Sequence, residues 1–268
     1  MCSESLSRYS RLLLPLLLTV VSGACSVKEV REDCPCWLTF DLSGIDAGEL
    51  EGNGPARLYW SILWDGGGDS GDLPCDQGLE SITVPVPRTH VSFTFSCIPF
   101  QEEAQHPGLV IPEGSDCPVL YSFAGTADAR VEECLVPVAL HKNYCIMDIS
   151  LRDLYKDGTE YVLRGDVAGY DGSWCPVFGT FSFNLAPDAN GHCRSSLPRQ
   201  IDNSLKLCVF RYGELERIFA LGEYVAESGY DWEALDLEDI SLEIDYSHSS
   251  ASFKIDQWKK TLTFTVVI

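Results

Sequence analysis

The sequence predicts a mainly β protein with little helix, organised as two tandem β-sandwich domains. Three observations predict it. Apolar and polar residues alternate at period two along most of the chain. Glycine-, asparagine- and aspartate-rich turns punctuate these runs at short spacing. A length of 268 residues with 45% hydrophobic composition supplies core for two units of ordinary size.

The first element is not a strand. Arg8 and Arg11 precede the apolar run "LLLPLLLTVV" (Leu12 to Val21), which ends in "SGAC" (Ser22 to Cys25). A basic start, a short apolar stretch and small residues form a secretory signal. Ten apolar residues are too few to span a bilayer as a helix. A cysteine directly after Ser-Gly-Ala resembles a bacterial lipobox, although Ser22 stands where that pattern prefers Leu. The lipobox implies acylation of Cys25 and loss of residues 1–24. Several acyl chains anchor a protein stably because each buried CH₂ contributes ~0.8 kcal/mol. By the same resemblance, Ser26 rather than Asp after the cysteine implies the outer over the inner membrane. Without acylation, Cys25 becomes a disulfide partner in an ordinary secreted chain.

The strands follow in order. "WLTFDLS" puts Leu38, Phe40 and Leu42 on one face. "RLYWSILWD" aligns Leu58, Trp60, Ile62 and Trp64; "THVSFTFSC" aligns Val91, Phe93 and Phe95. "SITVPVP", "PVLYSFAG", "RVEECLVPVAL" and "NYCIMDISL" continue the pattern, with turns expected at "DGGGDSGD" (Asp65 to Asp72), "IPEGSD" and "HKN". A break near "RDLYKDGTE" (Arg152 to Glu160) precedes "YVLRGDVAGY", "FGTFSFNL" and "LKLCVFRY". "ELERIFALGEYVAESG" (Glu214 to Gly229) is the one expected helix, weakened by Gly222. The tail from Ile240 to Ile268 reads as three strands, the last with Leu262, Phe264, Val266 and Ile268 aligned. The expected organisation is a signal peptide over 1–24, a lipidated export tether over 25–36, and sandwiches over 37–152 and 153–268. No internal repeat and no low-complexity linker is evident.

Charge and chemistry exclude several classes. The chain carries 19 Lys+Arg against 40 Asp+Glu, a net charge of −21. Loss of Arg8, Arg11 and Glu4 with the signal leaves 17 against 39. Such a surface repels phosphate backbones, so nucleic acid is not an expected partner. Motifs for a nucleophile elbow, a zinc protease, a phosphate loop or a dinucleotide fold are missing, and the five histidines have no ligand spacing. His141 and Cys145 share a strand face but stand ~13 Å apart, too far for a base and its nucleophile. No enzyme, metal or cofactor is expected. A pair of carboxylates converging in a cleft is the requirement for the third-ranked alternative, a glycoside hydrolase. Ten cysteines remain after Cys2 and Cys25. An even number in an exported chain suggests disulfides, with connectivity open; the rival reading, zinc, lacks paired CxxC spacing, since only Cys34-Pro-Cys36 is present, and cysteines inside strand-like runs, such as Cys145 and Cys208, also suit small core positions.

Four stretches carry a resemblance: "CSVKEVREDCPCWLTFDLSG", "LYWSILWD", "LGEYVAESGYDW" and "DISLEIDYSHSSASFKIDQWKKTLTFTVVI". Together they resemble the FimB/Mfa family of fimbrial anchor and accessory lipoproteins of Bacteroidales, over essentially the whole mature chain. "SVKEVRED" resembles the acidic tag that takes such lipoproteins to the cell surface. The family implies two transthyretin-like sandwiches, a lipid anchor at Cys25 in the outer membrane, fimbrial stalk or accessory subunits as partners, and attachment or termination of the shaft. The many cysteines depart from the family. Sheet edges supply the physical mechanism, because an unpaired edge accepts a neighbour's strand. "TLTFTVVI" is the candidate donor or edge strand. Against donation, Lys259-Lys260 are expected to turn it back onto "SASFKID". The main rival is a surface glycan-binding lipoprotein with Trp60 and Trp64 as a sugar platform; burial of these rings would count against it.

Overall fold

The computed structural model describes residues 34–46, 56–75, 79–99, 108–152, 158–245, 250–255 and 258–265. Cys25, Val266 and Ile268 lie outside the described residues. In chain order the elements are β1 (Cys36–Asp41), β2 (Ala56–Trp64), β3 (Gly67–Pro74), β4 (Ser81–Val86), β5 (His90–Pro99), β6 (Leu109–Val110), β7 (Tyr121–Asp128), β8 (Glu133–Pro137) and β9 (His141–Lys142). There follow β10 (Tyr144–Arg152), β11 (Thr159–Tyr170), β12 (Pro176–Leu185), β13 (His192–Pro198), β14 (Lys206–Arg211), β15 (Glu214–Phe219), α1 (Leu221–Glu227), β16 (Ile240–Asp245), β17 (Ser250–Ile255) and β18 (Trp258–Thr265). The protein is a mainly β sandwich fold.

Period-two alternation builds two cores. In the first, the inner face of the sheet β4-β1-β8 meets the inner face of β3-β2-β5-β7-β9. Leu38 and Phe40 of β1 face Leu58, Ile62, Phe93 and Phe95, all buried. The Phe40 ring stands edge-on to Phe93 at 5.0 Å and to Phe95 at 4.9 Å. Such pairs contribute ~0.5–1.5 kcal/mol each beyond their burial. The second core lies between β13-β10-β16-β17-β18 and β12-β11-β14-β15. Met147, Ile149, Leu163, Phe181, Leu207 and Leu242 fill it.

The two halves share one topology. β1 is antiparallel to β4 and parallel to β8; β10 is antiparallel to β13 and parallel to β16. The order β3-β2-β5-β7 is repeated as β12-β11-β14-β15. Equivalent strands occur in the same chain order, so the protein contains a structural duplication that the residues themselves do not display. Three appendages break it: β6 on β11, β9 on β7, and the hairpin β17–β18 added beyond β16.

Several sequence expectations change. Glu214–Phe219 is a strand, and only Leu221–Glu227 is helical. Tyr212 and Gly213 both have positive φ (51° and 85°), the backbone of a tight hairpin turn that pairs Arg211 with Glu214. Pairing with β14 overrides the helical propensity of this stretch. Gly222 is required rather than tolerated, since a Cβ there would lie 2.4 Å from the Asn203 carbonyl oxygen. In "DGGGDSGD" only Asp65-Gly66 turns, with Gly66 at φ 84°; the rest is edge strand β3. His141–Lys142, expected as a turn, forms β9. Tyr144–Arg152, expected in the first sandwich, is hydrogen-bonded into the second core's sheet.

Candidate assembly surface

The edges of these sheets are the places where backbone groups remain available. β8 pairs with β1 alone, and among the described residues no strand lies on its outer side. Its equivalent, β16, carries β17 at that position, antiparallel. The two halves therefore differ at this position, occupied beside β16 and without a described strand beside β8. Exposed apolar residues surround it: Leu135 is 67% exposed on β8, Trp37 51% on β1, and Val131 49% just before β8. No lysine, a residue type that blunts an edge against pairing, lies on β8.

The predicted donor strand is placed by its register. Leu262 stands opposite Phe253 and Phe264 opposite Ala251, so β18 is the outermost strand of its own sheet, antiparallel to β17. Lys259 and Lys260 lie within β18 rather than at the turn before it.

Trp60 and Trp64 are half-buried against the first core together with buried Leu58 and Ile62. Each stands opposite a glycine of β3, Trp60 on Gly71 and Trp64 on Gly67. A Cβ at Gly71 would come within 2.7 Å of the Trp60 ring, and one at Gly67 within 2.9 Å of the Trp64 indole nitrogen. The rings cover a glycine-rich edge strand that has few side chains of its own. They form no solvent-facing platform.

The Gly229-Tyr230-Asp231-Trp232 stretch belongs to a buried bracket that sequence reasoning did not assemble. Arg199 donates from Nε to Asn143 Oδ1 at 2.6 Å, from Nη1 to the Trp232 and Ala234 carbonyls (the latter at 2.7 Å), and from Nη2 to Leu235 O at 3.3 Å. Asn143 in turn donates to Ser122 Oγ at 3.1 Å and to Trp174 O at 3.0 Å. The Tyr170 hydroxyl donates to the Asn143 carbonyl and accepts from the Arg199 amide at 2.7 Å. Burial holds the guanidinium below the usual arginine range, opposed by nearby Tyr170, Tyr230, Asp231 and Asp236. Because Ser122 lies on β7 of the first half, this network ties the two halves together.

A second polar feature is an open groove on the outer face of the β12-β11-β14 sheet. Glu160, Arg164, Ser182, Asn184 and Phe210 line it. The Arg164 guanidinium lies 5.4 Å from the Phe210 ring centroid, a cation–π contact. Residues from three strands meet here, which is why no linear motif announced the groove. Among the described residues no group of three or more His, Cys, Asp or Glu could hold a metal ion. Among them, too, no helix is long and apolar enough to cross a membrane.

Neither a family model nor a curated protein matches the chain. Solved structures do. A DUF1812 protein of Bacteroides thetaiotaomicron, described as a candidate polysaccharide-binding protein, has a TM-score of 0.61 at 10% identity; the match covers 87% of this chain and 98% of that one. The fimbrial anchor protein Mfa2 of Porphyromonas gingivalis has a TM-score of 0.58 at 12% identity, over 84% of this chain and 98% of that one. A candidate adhesin of Bacteroides ovatus has a TM-score of 0.57 at 9% identity, over 85% and 96%. The Mfa-type resemblance read from the sequence therefore has its counterpart in the fold, shared along nearly the whole length of a fimbrial anchor protein.

Proposed function

We propose that this chain is a non-enzymatic, lipid-anchored subunit of a cell-surface fimbria, held in the outer membrane by acylated Cys25. It attaches or terminates the shaft through strand exchange at its sheet edges. The observation that carries this reading is the β8 edge, which no strand covers among the described residues and whose equivalent in the second half is occupied by an added strand. The fold likeness to Mfa2 supports it. A neighbouring subunit's strand on β8 satisfies the free backbone groups and covers Leu135 and Trp37.

Three full-length variants test the proposal in the native host. Cys25→Ser should release the protein from the outer membrane, and the intact mass of the wild-type mature chain should show acyl groups. Leu135→Lys should leave the fold intact by circular dichroism and abolish copurification of other fimbrial subunits. Deleting Thr261 to Ile268 separates two roles: loss of assembly with an intact fold assigns donation to β18, and unfolding assigns it to its own sheet. Retention of partners by Leu135→Lys would overturn the β8 assignment.

The groove at Arg164 and Phe210 favours a second reading, glycan capture at the cell surface, because an aromatic ring flanked by amide, hydroxyl and carboxylate groups suits a sugar ring. Titration with surface polysaccharides, and its loss in Phe210→Ala, tests that reading.

A further inference from the structure

We infer that Cys75 and Cys97 are the two halves of a disulfide that clamps the edge strand β3 to β5. This rests on the proposed export of the chain to an oxidising compartment. Cys75 directly follows β3, one residue beyond Pro74, which stands opposite Arg57 of β2. Cys97 lies on β5, opposite Leu58 of β2. The two side chains therefore come from the strands flanking β2 and meet on its core side. Their Sγ atoms are 3.7 Å apart, and both residues are buried, at 0% and 2% exposure. Closing to a bond of about 2.05 Å needs an approach of about 1.7 Å.

Cysteines of the second core are engaged differently. Cys117 Sγ faces the Pro118 carbonyl at 3.4 Å, and Cys193 Sγ faces the Ile149 carbonyl at 3.7 Å. Sulfur–sulfur contact distinguishes the Cys75–Cys97 pair from cysteines that merely fill space. A covalent clamp also has a purpose at this site. Among the described residues β3 is an edge strand, mostly glycine and aspartate, held from one side by β2 and covered by two tryptophan rings.

The chemistry is thiol–disulfide exchange with an oxidant of the disulfide class, either an exported protein disulfide or oxidised glutathione. One cysteine thiolate attacks a sulfur of that disulfide and forms a mixed disulfide. The second thiolate then displaces the oxidant's remaining sulfur. Two electrons pass to the oxidant, which leaves as two thiols carrying the two protons that the cysteines gave up. The Cys97 thiol is pushed well above its ordinary value by its hydrogen bond with Cys75 and by burial. Exchange therefore belongs to the stage before the sandwich closes, and the finished bond is sheltered from reductants.

The test uses the full chain, from the native cell envelope and, separately, after unfolding, reduction and refolding with oxidised glutathione. Both samples are alkylated without reduction, digested and mapped by mass spectrometry. The expected result is one linked peptide pair, Cys75 with Cys97, that resists dithiothreitol until the protein is unfolded. Prior reduction should lower the Tm of the wild type by about 10 °C. Cys75→Ala and Cys97→Ala should show that lower Tm with or without reductant. Free thiols at both positions in the refolded sample, or pairing of either with another cysteine, overturn the inference. A link in the refolded sample with free thiols in the envelope sample supports the pairing and overturns the proposed export.

Discussion

Replacing Arg199 with methionine probes the bracket that joins the halves. The side chain donates to four acceptors: Asn143 Oδ1 and the carbonyls of Trp232, Ala234 and Leu235. Methionine fills much of the same volume and donates nothing. Each hydrogen bond from a charged donor contributes ~1.5–3 kcal/mol, and each buried acceptor left unpaired costs ~1–3 kcal/mol. These terms do not simply add. Leu235 is 70% exposed, so its carbonyl recovers a water partner, whereas Asn143 and Trp232 are buried at 4% and 9%. Relief of the guanidinium's own desolvation offsets part of the loss. The net destabilisation for Arg199→Met is about 3 kcal/mol, which lowers Tm by roughly 6–12 °C in a domain of this size. Arg199→Lys keeps the charge but loses the planar fork, and costs about 2 kcal/mol. Urea titration followed by fluorescence measures the first quantity. Hydrogen exchange over residues 229–237 measures the local one, and protection there should collapse. A midpoint shift worth less than about 1 kcal/mol, with protection unchanged in that segment, would refute the view that Arg199 holds the two halves together.

Other expectations are simpler. Gly222→Ala puts a methyl group 2.4 Å from the backbone oxygen of Asn203 and should cost about 2 kcal/mol by thermal unfolding. Gly71→Ala meets the Trp60 ring at 2.7 Å, and a blue-to-red shift in tryptophan emission should report the ring swinging outward. Hydrogen bonds from Ser43, Arg130 and the His192 amide hold the Asp41, Asp128 and Asp188 carboxyls below the usual carboxylate range. Their stabilisation is complete above about pH 4–5 and is lost as pH falls toward the lowered folded values; Asp188→Asn should flatten part of that acid limb of a stability–pH curve. Burial raises Tyr144, Tyr170 and Tyr230 above the usual phenol value. Their native forms stay protonated while the unfolded chain ionises, so stability should fall above about pH 10, and absorbance at 295 nm should show these tyrosines titrating only on unfolding. Iodoacetamide should label exposed Cys34 and Cys175 in the native protein and spare Cys145 and Cys193, whose thiols burial pushes up to about 12.

Alternation in "WLTFDLS", "RLYWSILWD" and "THVSFTFSC" was sufficient by itself to establish strands, the face of each that is buried, and so a sandwich architecture. Side-chain direction in a strand is local, and a period of two is visible in seven residues. The three tail strands were legible for the same reason. What the tertiary structure decided is everything that depends on which strands become neighbours. "ELERIF" alone suits a helix, and its pairing with β14 makes it β15. The duplication of β1–β8 in β10–β16 lies in strand order and direction, for which the residues need only the same polar alternation. Arg199, Asn143 and Trp232 are separated by dozens of residues, and their hydrogen bonds exist only once two sheets have closed. Cys75 and Cys97 are likewise brought together only by strand pairing, on either side of β2 within one sheet, and no spacing could pick them out of ten cysteines. Burial is written into local pattern, whereas contact between distant residues is fixed by packing, and the β8 edge, the Arg199 bracket and the sulfur pair all arise from packing.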